Sequence, residues 1–271
     1  MKRNYLIILI VIGFSFSAFK QPKFDTSTSP KLFIGYINKQ PVFDAYQEKT
    51  LYVLKEKLEI LVKYPSNYIP KIVKDKFTCY EEKTKMGCNI VLSIDNTEKK
   101  YPLECRLSYI ALDESGNLFY TDTKAGFLIK SIIGNQIKDL GVKGYVINII
   151  DGYLFYSKEH DPNLNYANAD IFVLDIKTSS TAKKILSNVS GESTVILPDR
   201  KYIYEQMLIK GKFKPILYST EDNIYKELDI ESEFLNSTPY YSYQKNALVF
   251  YDAETLKMKN IEISKVFNNI E

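Results

Sequence analysis

The sequence predicts an all-β fold, a six-bladed β-propeller built from four-stranded antiparallel blades. A short strand rich in aromatic residues recurs six times along the 271 residues, at a spacing of 35 to 48 residues. Each copy lies among further strand-like segments, and a period of this size built from strands alone is typical of propellers. The copies begin at Pro41, Lys76, Asn117, Tyr153, Lys201 and Ala247.

Each repeat supplies four predicted strands in a fixed order. An inner strand comes first, and turn formers such as those at 114–116, 151–152 and 198–200 connect it to the aromatic strand. The third strand is rich in residues that favour a buried pleated surface, whereas the fourth is richer in Lys and Glu, as a solvated edge requires. The predicted blades are 32–64, 68–105, 108–142, 144–188, 192–231 and 239–271, the last ending in a strand at 265–271.

Two other folds compete with the propeller. One is a β-sandwich, and the other is a mixed α+β domain with a helix between Asp44 and Lys63, where Glu and Lys are frequent. The apolar spacing in this segment fits strands better than a helix. The segment also occupies the position of the third and fourth strands in the repeat, so the propeller is preferred.

The N-terminus predicts export. Lys2 and Arg3 precede an uncharged, mostly apolar run, and small residues follow at Ser17 and Ala18. This pattern predicts a signal peptide over residues 1–18, followed by a polar linker over 19–31. The protein would then be periplasmic or secreted. An uncleaved N-terminal anchor is the alternative, and it would be the chain's one contact with a membrane.

The charge balance gives no reason to expect nucleic acid as a partner. The full chain has 36 basic and 33 acidic residues, and without Lys2 and Arg3 the numbers are 34 and 33, a net charge of +1. Nucleic-acid binding is usually accompanied by a strongly basic surface. The lysines are also spread along the chain, as on an ordinary solvated surface.

Three cysteines suit an oxidising compartment. Cys79 lies in the second strand of the second predicted blade, and Cys88 lies at the start of the third. A hairpin folded about Lys83 and Thr84 would place these two opposite each other, which predicts a disulfide between them. A bridge from either to Cys105, or three buried thiols, is the alternative. The spacing is not that of a redox or zinc motif.

The sequence carries no recognised catalytic motif. His160 is the only histidine, so neither a histidine metal cluster nor a well-supported Ser-His-Asp site can be built. Phosphate-binding loops, the GxSxG elbow and HExxH are all missing from the sequence. The 22 tyrosines sit mostly at repeating strand positions, where large aromatic side chains usually fill the core. These observations favour a non-catalytic protein without a required cofactor.

One connection differs from the rest of the repeat. Residues 160–169 form the longest link between a second and a third strand, and oxygen ligands alternate there at Asp161, Asn163 and Asn165, with Asp170 following. Such alternation suits calcium, which makes these four residues a candidate metal site and calcium the candidate cofactor. Tyr166 stands where a calcium loop needs glycine, and no glutamate closes the loop. An Asx-rich turn is therefore the simpler interpretation.

The same face of a propeller carries the other connections of this type. They are predicted at 81–87, 208–214 and 231–238, and Lys210, Lys212 and Lys214 make the second of these basic. We expect the ligand-binding surface here, with Asp161, Asn163, Asn165, Lys210 and Lys212 as its candidate residues.

Two segments resemble known propeller repeats. Residues 108–123, SYIALDESGNLFYTDT, resemble one repeat of the YWTD, NHL and gluconolactonase-like group, with Phe119 and Tyr120 in place of Tyr-Trp. Residues 170–178 and 196–205 resemble repeats of TolB-like propellers. The resemblance implies a six-bladed propeller. The calcium ligands of the gluconolactonase-like enzymes have no residue-by-residue counterpart in this sequence.

Three functions follow as hypotheses. The first is an exported, monomeric, non-catalytic propeller that binds a protein partner or a small ligand on its loop face. The second is a calcium-dependent hydrolase or lactonase, which would use residues such as Asp113, Asn148, Asp151 and Asp161. The third is a periplasmic immunity or inhibitor protein. The absence of a catalytic constellation favours the first.

Overall fold

The computed structural model describes residues 30–85, 87–95, 97–103, 108–159, 169–178, 181–191, 193–231, 234, 238–255 and 257–267. This part of the chain is almost entirely β-strand, which confirms the all-β prediction. The predicted signal peptide and residues 19–29 of the predicted linker lie outside the described residues. Within them, no helix is long and apolar enough to cross a membrane.

The strands form six consecutive groups, named group 1 to group 6 in chain order. Group 1 contains Leu32–Ile37 (β1), Gln40–Ala45 (β2), Thr50–Leu54 (β3) and Leu58–Lys63 (β4). Group 2 contains Tyr68–Lys74 (β5), Phe77–Thr84 (β6), Gly87–Ile94 (β7) and Thr97–Leu103 (β8). Group 3 contains Ser108–Leu112 (β9), Leu118–Asp122 (β10), Leu128–Ile133 (β11) and Gln136–Lys143 (β12).

The second half of the chain continues the same order. Group 4 contains Tyr145–Ile150 (β13), Tyr153–Glu159 (β14), Ala169–Asp175 (β15) and Lys183–Val189 (β16). Group 5 contains Val195–Ile196 (β17), Tyr202–Ile209 (β18), Lys212–Ser219 (β19) and Ile224–Glu227 (β20). Group 6 contains Tyr240–Ser242 (β21), Ala247–Tyr251 (β22) and Met258–Glu262 (β23), followed by a short helix, Ile263–Phe267 (α1).

Within each group the strands pair antiparallel with their neighbours in the chain. Groups 1 and 2 merge into one eight-stranded sheet because their innermost strands, β1 and β5, pair in parallel at Gly35 with Val73 and at Tyr36 with Lys74. Groups 4 and 5 merge through a contact between β16 and β18 at Val189 and Met207. Group 3 and group 6 are separate sheets.

The buried core lies between consecutive groups. Phe77 and Leu92 of group 2 pack with Leu118 of group 3, and similar clusters join groups 1 and 2, 3 and 4, 4 and 5, and 5 and 6. A further cluster joins the two ends of the chain, where Phe43 of group 1 packs with Tyr240 of group 6. Each sheet thus buries its faces against its neighbours, as layered β architectures must.

The aromatic strand is the second strand of every group, and its central position is buried as predicted. The residue after the aromatic one is buried too, and in five groups it is polar. The buried aromatic residues are Phe43, Tyr80, Tyr120, Tyr156, Tyr204 and Phe250. The buried polar residues that follow them in groups 1 to 5 are Asp44, Glu81, Thr121, Ser157 and Glu205.

The hairpin formed by β6 and β7 corrects the predicted disulfide. Its strands pair as far as Thr84 and Gly87, so the chain does not turn at Lys83 and Thr84. In this register Cys79 faces Leu92 and Cys88 faces Lys83, so the two cysteines lie four residues apart along the ladder and not opposite each other. The geometric basis for a bridge between Cys79 and Cys88 is therefore lost. Cys105 lies outside the described residues.

Two other expectations about elements were wrong. The predicted strand at 265–271 begins instead with helical residues of α1, so β23 is the outermost strand in the described part of group 6. The predicted long loop at 208–214 is mostly strand, because β18 and β19 continue to a two-residue turn at Lys210 and Gly211. The helix considered between Asp44 and Lys63 is not formed; β3 and β4 occupy most of this segment.

Candidate binding surface

The meander topology sorts the connections onto two faces. The turns between first and second strands lie on one face, named the turn face, at residues 38–39, 75–76, 113–117, 151–152, 197–201 and 243–246. The connections between second and third strands, and the links from one group to the next, lie on the other, named the loop face.

The turn face is closed by contacts that cross between groups. The Lys74 ammonium of group 2 donates to Glu114 Oε1 of group 3 at 2.8 Å and to the carbonyl of Ile149 in group 4 at 3.3 Å. The ring of Tyr243 in group 6 lies 5.3 Å from that of Tyr36 in group 1. Burial, reinforced by neighbouring Tyr241, Asp75 and Glu114, raises the pKa of Tyr243 to about 12. Side chains from groups 1, 2, 3 and 6 therefore meet in one place.

The acidic residues considered for a hydrolase have structural partners on this face. Asp113 accepts hydrogen bonds from the backbone N–H groups of Ser115 and Asn117 and so holds its turn. Asn148 Oδ1 accepts from the backbone N–H of Ile149, and Asp151 lies 3.6 Å from Arg200 Nε. Asp113 thus stabilises its turn, Asn148 bonds within β13, and Asp151 lies near Arg200 of group 5. Asp161 lies outside the described residues. Across the described ranges, no cluster of three or more His, Cys, Asp or Glu side chains could hold a metal.

Two hairpins project on the loop face. In groups 2 and 5 the second and third strands are eight residues long, whereas those of group 3 have five and six residues. The projecting tips carry exposed lysines that form no ion pair with another described residue: Lys83, Lys85, Lys210 and Lys212. Lys214, farther down the hairpin, pairs with Glu227 at 2.5 Å.

The predicted calcium ligands divide between described and undescribed residues. Asp170 lies in β15, buried, with Lys184 Nζ 3.2 Å from its carboxylate. Asp161, Asn163 and Asn165 lie outside the described residues, so calcium binding by this loop stays a prediction. Lys210 lies in the turn of the group 5 hairpin and Lys212 directly follows that turn, both on the loop face, and their role in ligand binding stays a prediction.

An aromatic cluster that the sequence did not predict lies on the loop face between groups 3 and 4. The Tyr145 ring centroid lies 4.7 Å from that of Tyr109 and 5.1 Å from that of Phe127. Tyr109 and Phe127 are exposed to 44% and 42% respectively. By contrast, Tyr68 and Tyr240, which also stand at the start of first strands, are buried. The recurrence of Tyr at this position was the available signal, but exposure could not be assigned from it.

A small cavity lies beside this cluster. Its volume is about 20 Å³, room for about one water molecule. It is lined by Tyr109, Tyr145, Ser157, Glu159, Ala169, Ser190 and Gly191. Burial, and then the neighbouring Glu159 carboxylate, raise the pKa of Tyr145 to about 12, which places the carboxylate next to the phenol. The cavity combines aromatic rings with one acidic group.

A larger cavity of about 390 Å³ lies between β8 and the strands of group 3. Asp122 and Lys130 line it and pair with each other at 2.6 Å. Their mutual neutralisation leaves Lys124 as a further charged residue in the lining. The cavity reaches the loop face, because Lys124 and Ala125 belong to the connection between β10 and β11.

Buried carboxylates occupy the second strands of groups 1 and 5. Glu205 is fully buried and accepts hydrogen bonds from Thr194 Oγ1, from Ser190 Oγ at 2.9 Å and from the backbone N–H of Gln206 at 2.7 Å. Burial raises its pKa despite these bonds. Asp44 likewise has a raised pKa through burial, opposed by the hydrogen bond from the Tyr64 hydroxyl. Both carboxylates are engaged inside the fold.

Known structures place this architecture among β-propellers. No protein-family model and no curated protein sequence matches the chain. TolB from Acinetobacter baumannii is similar at 14% identity and a TM-score of 0.57, over 89% of this chain and 65% of that one. Oligogalacturonate lyase in complex with manganese matches at 6% identity and 0.57, over 85% and 76%. The tricorn protease matches at 12% and 0.57, over 88% of this chain but only 26% of its own. Such identities support the β-propeller fold alone.

Proposed function

We propose that this protein is an exported, non-catalytic six-bladed propeller that binds a protein partner on its loop face. The observation that carries the proposal is the difference between the two faces. The turn face is occupied by contacts between groups, such as those of Lys74 with Glu114 and Ile149. The loop face presents two projecting hairpins with lysines at their tips, together with exposed aromatic rings. Aromatic residues are enriched in protein interfaces.

The six strand groups are the six blades in this proposal. Core clusters join each group to the next, and Phe43 and Tyr240 join the first group to the last. A ring closed in this way has one face for each set of connections. The loop-face connections then surround a common centre, where a partner can contact several of them at once.

A protein partner suits the loop face better than a small ligand. Small-molecule sites are usually concave cavities of about 300–1,000 Å³. The cavity beside the aromatic cluster is only about 20 Å³. The cavity of about 390 Å³ beside group 3 is large enough, but two of its charged side chains, Asp122 and Lys130, already pair with each other. The lysines of both projecting hairpins stand at the tips of strands and do not surround a pocket. Groups displayed on projections can contact a large surface but cannot enclose a small molecule.

Site-specific photocrosslinking in the native host tests this proposal. A benzoylphenylalanine residue would replace Lys83 or Lys210 on the loop face, and Lys76 or Lys245 on the turn face as matched controls. All four positions are exposed lysines. We expect discrete protein adducts from the loop-face positions and none from the turn-face positions. Adducts mainly from the turn face, or no protein adducts from any position, would contradict the proposal.

A further inference from the structure

We propose that Tyr109, Phe127, Tyr145 and Glu159 form a binding site for an arginine side chain of the protein partner. The site lies at the boundary between groups 3 and 4, and the inference rests on the loop-face binding proposed above. It specifies the group that this part of the surface would bind, a planar organic cation.

The backbone holds two of these rings in an unusual conformation. Tyr109 has a φ of 51° and Phe127 a φ of 63°. Among the described residues they are the only aromatic ones with φ in the left-handed region, where most others are Asn or Asp in turns. Bulky side chains are disfavoured there. Such strained positions are concentrated at active sites and ligand-binding sites.

Each unusual conformation has a local cause. Tyr109 is the extra residue of a β-bulge, because Tyr120 pairs with Ile110 while Thr121 pairs with Ser108. Bulges commonly re-aim a side chain beside a functional site. Phe127 stands just before β11, and its carbonyl accepts the backbone N–H of Gly144 at 2.9 Å. That bond brings Phe127 next to Tyr145, the first residue of β13.

The ring geometry leaves aromatic surface available. Tyr145 lies between the other two, at interplanar angles of 63° to Tyr109 and 57° to Phe127. Neither outer ring is stacked parallel to Tyr145, and both outer residues are more than two-fifths exposed. Ring faces carry partial negative charge and attract cations placed over them.

Glu159 supplies the charge that completes the site. It lies at the end of β14, lines the cavity with Tyr109 and Tyr145, and forms no ion pair with any other described residue. A carboxylate beside ring faces favours a cation. A guanidinium satisfies both parts, because it stacks on aromatic faces and presents a planar fork of donors to a carboxylate.

One neighbouring charge opposes the ligand. A Cβ atom added at Gly126 would lie 3.7 Å from Lys143 Nζ, so this ammonium is close to the turn that carries Phe127. Lys143 is exposed. It repels an incoming cation, so Lys143→Gln should strengthen binding about twofold, as removal of a screened surface charge does.

Binding of short peptides tests the assignment. Acetylated Gly-Arg-Gly amide, its lysine analogue and its citrulline analogue would be titrated into the full chain and followed by NMR chemical-shift changes. Citrulline keeps the shape of arginine without the charge. We expect the arginine peptide to bind most tightly and the citrulline peptide at least tenfold more weakly, since a charge-assisted pair is lost.

Variants locate the site. Glu159→Gln should weaken binding of the arginine peptide about tenfold, and Phe127→Ala about threefold. Tyr225→Ala is the control, because Tyr225 is similarly exposed, at 43%, on the outer strand β20; it should leave binding unchanged. Equal binding of the arginine and citrulline peptides, or an unchanged affinity in Glu159→Gln with native NMR spectra, would overturn the assignment. Loop-face crosslinks would remain in that case, so its failure is distinguishable from failure of the proposed function.

Discussion

At the residue scale, the second strands repeat a buried aromatic residue followed by a buried polar one. The polar group ties its strand to the connections between groups. Thr121 Oγ1 donates to the carbonyl of Gly144, in the link to group 4, at 2.9 Å and accepts from the N–H of Val146, near the start of β13, at 3.0 Å. Glu205 accepts from Ser190 and Thr194 in the link to group 5. A buried polar group without a hydrogen bond lowers stability, so each of these side chains favours the one arrangement of the link that satisfies it.

Glu205 should make stability depend on pH. Its pKa is raised by burial, so the native state binds a proton more tightly than the unfolded chain. Its contribution is fully present below the unfolded pKa of about 4.3 and is lost as pH rises through the folded value. We expect the unfolding free energy of the wild type, relative to Glu205→Gln, to decrease between pH 4 and pH 7 in urea titrations. A difference that stays constant or grows over this range would contradict the prediction.

The sequence predicted the aromatic positions but not the aromatic site. Phe119 and Tyr120 point to opposite faces of β10, and both could be assigned to the core because a strand that is apolar on both faces is expected to be covered on both sides. The exposure of Tyr109 depends on a bulge and on the close approach of Tyr145 from the next group. Neither is a local property of the sequence, so the cluster became visible only in the packed structure.

At the element scale, strands were predictable where apolar and polar residues alternate. Turns were predictable where glycine or asparagine occupies the turn. In the hairpin of β6 and β7 the glycine, Gly87, is the first residue of the returning strand, and Lys83 and Thr84 were mistaken for the turn. In strand β23, by contrast, the sequence did contain a sign of the observed structure. Its charged residues Lys259 and Glu262 are typical of a solvated edge strand, whereas the third strands of the other groups are mainly apolar. This charge pattern was a usable sign that the last group has three strands in the described part of the chain.

The parallel contact of β1 with β5 depends on Gly35. A Cβ atom added there would lie 1.8 Å from the carbonyl oxygen of Val73, and φ is 140°. We expect Gly35→Ala to lower the unfolding free energy by about 3 kcal/mol or more, because backbone must move to relieve the overlap. The control is Gly134→Ala, where φ is 63° and nothing lies within 4 Å. It should cost about 1 kcal/mol through conformation alone. Equal shifts of the urea midpoint in the two variants would show that the close approach is not limiting.

At the scale of the whole molecule, the two ends of the described chain are joined by specific bonds. The N–H of Lys31 donates to the carbonyl of Ala253 at 3.0 Å, and the N–H of Phe33 donates to the Tyr251 hydroxyl at 2.8 Å. The Phe33 ring stacks on Tyr240 at 5.3 Å. When the first and last strand groups are in contact, each interface between groups restrains all the others. Weakening this contact between groups 1 and 6, named the seam, should therefore destabilise the whole fold and not only its ends.

Substitution of Tyr36 tests the contribution of that contact most directly. Its hydroxyl donates to the carbonyl of Tyr241 and accepts from the N–H of the same residue, both at 2.9 Å. We expect Tyr36→Phe to lower the unfolding free energy by about 2 kcal/mol, because two hydrogen bonds are lost and a backbone donor is left unpaired. The matched control is Tyr101→Phe, which removes one exposed bond to the carbonyl of Gly134 and should cost about 0.5 kcal/mol.

Hydrogen exchange separates local from global loosening in Tyr36→Phe. If the ring is cooperative, amides in β10 and β14, remote from the contact between the chain ends, should lose protection by the same free energy as the amide of Phe33, which keeps its bond to the Tyr251 hydroxyl in the variant. Loss of protection confined to β1 and β21 would mean that the seam opens independently. The ends would then be held together locally, and the loop face would not be a single rigid platform.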